Sequence, residues 1–172
     1  NCRGYNAAIL GGALAAAIAI RQDLDGKVRD NTARHPQRWG NGSEILGRVG
    51  DPRYQIPALL AIYGVSVRRE DEQLHDFTTT LISAYTINGL SVLAVKGIAN
   101  TGRPSDTWNG GQYGFPSFHS SSSFAIASVV DEYYGYKASL PAYALAGLIS
   151  WSRIDQRDHD LSDVVFGAAL GY

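Results

Sequence analysis

Apolar residues in this chain gather into six runs of helix length, separated by polar stretches that carry most of the charge. The runs are residues 5–20 (YNAAILGGALAAAIAI), 56–69 (IPALLAIYGVSVRR), 81–99 (LISAYTINGLSVLAVKGIA), the segment from Pro116 to Gly135, 140–153 (LPAYALAGLISWSR) and 161–172 (LSDVVFGAALGY). Asp51 and Pro52 give a helix-start signal ahead of the second run, and strand-like runs bounded by turn dipeptides are scarce. The pattern predicts an all-α fold, a bundle of helices.

Residues 21–55 break the pattern, being charged and punctuated by Gly and Pro. They read as a surface excursion with room for one short helix, a solvated linker in which His35, beside Pro36, has no assigned role.

Two charge-free runs are long enough to raise the question of membrane spanning: 17 residues from Gly4 to Ile20 and 19 from Phe77 to Val95. A span wants about 20 mostly apolar residues. The first run is mainly Ala and Gly, the second carries seven Ser, Thr and Asn residues, and mean hydropathy is -0.13. Both are therefore read as buried helices of a soluble bundle.

A chain of 172 residues, 45% of them hydrophobic, fits one core, so residues 1–172 are expected to form a single domain. A net charge of -1 gives no bulk attraction to nucleic acid, and anion binding must come from local clusters of basic residues. Cys2 is the sole cysteine, which excludes an internal disulfide and a thiolate zinc site. A chain that begins at Asn1 and lacks Met suggests a trimmed start, and an apolar run ending at Tyr172 without a stop signal suggests a truncated end.

Three clusters carry candidate chemistry. In KGIANTGRP, Lys96 and Arg103 stand seven residues apart, about two helical turns, and Pro104 follows. Taken alone, such cations complement a helix dipole. In FPSFHSSSS, Pro116 and Ser117 signal a helix start, whose exposed N–H groups suit an anion, and His119 falls in the first turn. In SRIDQRDHDLSD, a break between two helical runs presents Arg153 and His159, with Asp163 four residues further on. A carboxylate on one ring nitrogen fixes the tautomer and frees the lone pair of the other, which makes a nucleophile or base. Asp155, Asp158 and Asp160 read as surface charges or caps.

In this order, Lys-x6-Arg-Pro, Pro-Ser-x-His and Ser-Arg-x5-His-x3-Asp resemble the signature of the phosphatidic acid phosphatase type 2 superfamily, over roughly residues 81–172. That superfamily includes bacterial non-specific acid phosphatases, lipid phosphate phosphatases and vanadium-dependent haloperoxidases. The first and third motifs match at Lys96, Arg103, Pro104, Ser152, Arg153, His159 and Asp163. The second departs, since Phe118 occupies a position where the family usually has glycine. Its backbone N–H is retained where φ suits a residue with a Cβ, while the ring could narrow the pocket.

The resemblance implies a phosphatase of the same helical fold. Lys96, Arg103 and Arg153 would clamp the phosphate oxygens, with Ser117 and the Phe118 N–H as further donors. His159 would attack phosphorus to give a phosphohistidine, Asp163 would hold its ring, and His119 would protonate the leaving oxygen and then activate water. Such chemistry is mainly positioning and charge stabilisation, so no metal and no cofactor is required, and vanadate is expected to inhibit. The loop at residues 105–115 is expected at the pocket mouth, with Trp108 and Tyr113 as candidate substrate contacts.

Two alternatives stay open at this point. One is a vanadate-dependent haloperoxidase, though the family's haloperoxidases are longer chains. The other is a degenerate module binding phosphate or lipid headgroups. Low hydropathy favours small soluble phosphomonoesters, with a lipid phosphate at a membrane surface as the other substrate class, and the resemblance suggests a periplasmic or extracellular location.

Overall fold

The computed structural model describes residues 3–106 and 109–172, so Trp108 lies outside the described residues. Eight α-helices and no strand occur among them. They are α1 (Arg3–Asp23), α2 (Asp25–Arg34), α3 (Asn41–Val49), α4 (Pro52–Arg69), α5 (Glu72–Ala99), α6 (Phe118–Tyr134), α7 (Tyr136–Asp155) and α8 (Leu161–Gly171). The all-helical expectation holds.

Local chemistry sets the boundaries. Asp51 accepts the Arg53 N–H and Pro52 takes the first turn of α4, where a missing donor costs nothing. Asp71 accepts the Leu74 N–H at 2.9 Å to open α5, and left-handed Asn100 closes it. A single residue, Gly135, ends α6 and opens α7 with φ at 72°, a conformation that suits a residue without Cβ. Asp160 and Asp163 form a reciprocal capping box at the start of α8.

Helix α6 is central, packed against α5, α7 and α8, while α1 lies on α8, α3 on α7 and α4 on α5. The run Ser120–Ser123 is buried and bonded in several directions. Ser120 Oγ donates to the Val164 carbonyl at 2.8 Å and accepts from Ser150 Oγ at 2.8 Å. Asn88 Nδ2 donates to Ser121 at 3.1 Å, and Ser122 donates to Gln55 Oε1 at 2.9 Å. The Tyr85 hydroxyl donates to the same Gln55 oxygen at 3.1 Å. This hydroxyl network joins four helices to α6, and its satisfied partners offset the desolvation of burying them.

The two long apolar runs are not the buried helices that the sequence suggested. On α5, Ile87, Leu90 and Leu93 are 66%, 64% and 64% exposed, and on α1 Ile9, Leu14 and Ile18 also face outward. Helix α5 is long and apolar enough to cross a membrane, and the bent α1–α2 pair passes the same test if taken as one broken span. Low mean hydropathy misled because it averages these faces with polar ends and a hydroxyl-rich interior.

The excursion at 21–55 also departs from expectation. It holds two helices, α2 and α3, and buried carboxylates bind it to the rest. Ser162 donates to Asp25 through its N–H at 3.1 Å and its hydroxyl at 2.6 Å. Asp155 accepts from Arg38 N at 3.0 Å and from Ser43 Oγ at 2.5 Å.

Candidate active site

Helices α4, α6 and α8 start, and α5 and α7 finish, at one end of the bundle, so the three sequence clusters converge there. Lys96 lies in the last turn of α5, His119 in the first turn of α6, Arg153 near the end of α7, and His159 in the loop before α8. Asp163 follows within the first turn of α8.

His159 Nδ1 lies 3.2 Å from Asp163 Oδ2, and the same oxygen accepts the Asp160 N–H at 3.0 Å. The carboxylate is thus fixed by the capping box and in turn orients the ring. On the other side, His159 Nε2 is 3.4 Å from the Arg103 guanidinium. Both residues of the pair are buried. Burial, then the charges of Arg103, Lys96 and Arg153, hold the His159 pKa well below the usual histidine range, which keeps the imidazole neutral.

The cations are held by carbonyls as well as by carboxylates. Lys96 Nζ donates to Tyr113 O at 2.7 Å and Gly114 O at 3.3 Å. Arg103 donates to Gln112 O at 2.9 Å, Asp158 O at 2.8 Å and Tyr113 O at 3.2 Å. The loop that carries these carbonyls is pinched by Gly114 N to Thr101 O and Arg103 N to Gly111 O, at 2.8 and 2.7 Å. Arg153 pairs with the Asp158 carboxylate and donates to Gln156 Oε1 at 2.6 Å. Its Nε is buried without a hydrogen-bond partner among the described residues.

His119 sits beneath the α3–α4 junction. A Cβ placed on Gly50 would lie 3.1 Å from His119 Cδ2 and would run into Ile149. Burial, Arg153 and His159 push the His119 pKa well below its ordinary value, with Asp51 opposing. Ser117 is fully buried and caps α6, accepting from Ser120 N at 3.4 Å. Phe118 turns its ring away from this end, edge-on to Tyr85 at 5.7 Å and within the core cluster of α5 and α6. It therefore does not narrow the site, and as a regular helical residue it needs no positive φ. Tyr113 contributes its carbonyl, at a φ of 55°.

Several residues near the site have parts that the sequence left unresolved. Asp155 and Asp160 are buried and are not surface charges: Asp155 anchors residues 38–43, and Asp160 is a cap, the other role expected of it, at the start of α8 while it pairs with Arg29 at 2.5 Å. Asp158 is the ion-pair partner of Arg153. The signal for all three was their density within SRIDQRDHDLSD, too much charge for a loop between apolar helices. Gly47 and Gly50, against Arg153 and His119, left no such signal.

No group of three or more His, Cys, Asp or Glu side chains with metal-binding geometry occurs among the described residues. What converges is a set of fixed cations around a neutral, carboxylate-oriented imidazole, with a second histidine at a helix N-terminus. That constellation suits an oxyanion and transfer of its central atom to nitrogen.

Comparisons with known proteins agree in kind. The chain is 28% identical over 138 residues to the lipid A 4'-phosphatase of Helicobacter pylori, covering 76% of this chain and 68% of that protein. The fold matches the crystal structure of a transmembrane PAP2-type phosphatidylglycerolphosphate phosphatase from Bacillus subtilis, with a TM-score of 0.78 at 20% identity over 96% of this chain and 90% of that one. It also matches LpxE of Aquifex aeolicus, with a TM-score of 0.62 at 22% identity over 75% and 78% of the two chains. The class is that of helical phosphatases, enzymes that hydrolyse phosphoric monoesters. Within it, the chain belongs to the PAP2 superfamily, whose family model matches residues 76–172.

Proposed function

We propose that this chain is a membrane-embedded lipid phosphate phosphatase that works through a phosphohistidine on His159 without a metal. The observation that carries the reading is an inverted distribution of polarity. The interior is lined by Ser66, Thr78, Asn88, Ser120–Ser123 and Ser150, while Leu60, Ile87, Leu90, Leu93, Leu145 and Leu148 face outward. In water this arrangement is costly; in lipid, hydroxyls and small residues pack helices together and apolar side chains meet the acyl chains.

On α5, Asp76 and Lys96 bracket 19 uncharged residues, about 28 Å of helix, close to the thickness of a hydrocarbon core. Lys96 then marks one membrane surface, and the cationic cluster gathers around it. A lipid with its headgroup at that surface would present a phosphomonoester to the cluster while its chains stay in the bilayer. The names of the relatives, a lipid A 4'-phosphatase and a phosphatidylglycerolphosphate phosphatase, favour a lipid over a small soluble ester. The site end faces the periplasm or cell exterior in this reading.

The chemistry follows from the positions. Lys96, Arg103 and Arg153 gather the non-bridging oxygens, and the N-terminal turn of α6 adds its dipole. His159 Nε2 attacks phosphorus as the ester oxygen departs, and Asp163 stabilises the charge that develops on the ring through Nδ1. His119, neutral in the free enzyme, takes up a proton as the anionic ester binds beside it. It gives that proton to the leaving oxygen, then takes one from the water that cleaves the phosphorus–nitrogen bond. Phosphate leaves and His159 returns to its neutral state.

The test is hydrolysis of dioctanoyl phosphatidic acid and of p-nitrophenyl phosphate by detergent-solubilised parent and His159→Ala protein. Turnover that survives a chelator, is inhibited by vanadate, favours the lipid and disappears in the variant supports the proposal. Loss of activity on chelation, or full activity in the variant, overturns it.

A further inference from the structure

Helix α2 grips the start of α8 with two side chains about one turn apart. Asp25 accepts from the Ser162 N–H at 3.1 Å and from its hydroxyl at 2.6 Å. Arg29 donates through Nε to Asp160 Oδ1 at 2.6 Å and through Nη2 to Asp160 Oδ2 at 2.5 Å, a two-bond fork. The Asp160 side chain is 1% exposed and that of Arg29 39%, so the guanidinium covers a buried carboxylate from the solvent side. Arg21 stands 3.9 Å from the same carboxylate, beyond hydrogen-bond reach, and adds charge alone. A longer contact, 3.4 Å, joins Arg29 to the carbonyl of Gly102, the residue before Arg103.

What Arg29 holds is one step from the chemistry. The Asp160 N–H is one of two groups on Asp163 Oδ2, the other being His159 Nδ1. In return the Asp160 carboxylate accepts the Asp163 N–H. Any rotation of Asp160 therefore moves the oxygen that holds the histidine. Charge acts in the same direction. Asp160 and Asp163 place two carboxylates in one buried turn, at a single helix N-terminus. With Asp160 matched by Arg29, the charge of Asp163 is left for the ring. Without Arg29 the two buried anions compete, and one of them takes a proton or turns away.

We propose that Arg29 is a positioning residue for phosphoryl transfer: through Asp160 it fixes the Asp163 carboxylate on His159 Nδ1. The kinetic side of the inference rests on the phosphatase reading, and the geometric side stands apart from it.

Two readouts on the full-length protein in detergent keep those sides separate. The far-downfield NMR signal of the His159 Nδ1 proton, assigned by its loss in His159→Gln, reports the bond to Asp163 without turnover. The kcat for p-nitrophenyl phosphate reports the chemistry on an ester with no lipid part. In Arg29→Gln the signal should shift or broaden, and kcat should fall about tenfold or more with KM held within about twofold. Arg29→Lys keeps the charge without the fork and should lose about threefold in kcat. Adding Asp160→Asn to Arg29→Gln removes the unpaired carboxylate and should restore most of the loss. A parental signal or a parental kcat in Arg29→Gln overturns the proposal, as does a loss that Asp160→Asn does not mend, since packing alone would then account for it. Should Arg29→Gln not fold, Arg29→Lys decides, and parental kcat in that variant overturns the proposal. A parent active on the aryl ester and inactive on dioctanoyl phosphatidic acid overturns the lipid reading, while the same variants still decide the role of Arg29. A parent inactive on both overturns the phosphatase reading, and the NMR signal then decides by itself whether Arg29 holds the pair.

Discussion

Asp163 Oδ2 bonds two groups at once, the His159 ring at 3.2 Å and the Asp160 backbone N–H at 3.0 Å. The helix cap and the histidine holder are therefore one carboxylate, and the start of α8 fixes the orientation of the imidazole. Asp163→Asn can keep the cap by accepting through its amide oxygen, yet it cannot offset a positive charge growing on the ring. The expected result is a near-native melting temperature with kcat lowered by about 10²-fold or more, and no detectable turnover in His159→Asn. An Asp163→Asn enzyme of parental kcat would remove Asp163 from the mechanism.

How much of this was legible beforehand depends on whether the signal was local. Lys96, Arg103, His119, Arg153, His159 and Asp163 stand in three short clusters that resemble the family signature, and it was this resemblance, with no contribution from spacing alone, that implied their gathering. The outward faces of α1 and α5 were misread because composition does not say which solvent an apolar face meets. Arg29 and Asp160 are 131 residues apart and Arg38 and Asp155 are 117 apart, and no periodicity in a single chain pairs such residues. The Ser120–Ser123 run, plain low complexity as a string, acquires meaning only once Gln55, Asn88 and Ser150 surround it.

The pH dependence follows from the neutral histidines. Burial and neighbouring cations lower the His159 and His119 pKa values well below the usual 6.5. A lowered pKa means that the free enzyme keeps an unprotonated nucleophile as pH falls through 6.5, and loses it only in more acidic solution. The acidic limb of kcat/KM, which reports the free enzyme, should therefore lie below pH 6.5. Removing a cation should move it upward, so Arg103→Gln is expected to raise the apparent pKa of whatever activity remains. A limb at or above 6.5 in the parent would contradict the buried, cation-flanked environment of His159.

Gln55 is the acceptor on which two buried hydroxyls depend, those of Tyr85 and Ser122. Gln55→Leu fills similar volume and leaves both donors without that oxygen. Each hydroxyl stranded in the interior costs about 1–3 kcal/mol, so the unfolding midpoint in detergent should drop markedly. Replacing the acceptor and both donors together, as Gln55→Leu, Tyr85→Phe and Ser122→Ala, should recover much of the loss. No recovery in the triple variant would mean that Gln55 acts by shape alone.

Phe118 is the one departure from the second motif of the signature that the chain resembles, which usually has glycine there, and Phe118→Gly is the natural repair experiment. Here the ring fills the α5–α6 interface against Tyr85 and Gly89 and does not enter the site. Phe118→Gly should therefore open a cavity and cost about 3–5 kcal/mol of stability, with no gain in kcat. Thermal unfolding and pre-steady-state phosphate release measured on the same sample separate these effects. An increase in kcat would show that the side chain restrains phosphate approach.

Gly47 offers a test of the clamp from outside the motifs. A Cβ on Gly47 would lie 2.7 Å from Arg153 Nη1 and 3.2 Å from Gln156 Oε1. Both are ends of flexible side chains, so α3 can accept alanine by displacing the guanidinium and leaving the helices in place. Alanine also favours the helix over glycine by up to about 1 kcal/mol, which offsets part of the lost contact. Gly47→Ala is thus expected to melt within a few degrees of the parent while kcat/KM falls about tenfold, because Arg153 meets the phosphate off its bidentate geometry. Inorganic phosphate should weaken as a competitive inhibitor in step. Parental kinetics would mean that Arg153 can reach the phosphate from either position, and that its contribution is charge without fixed geometry.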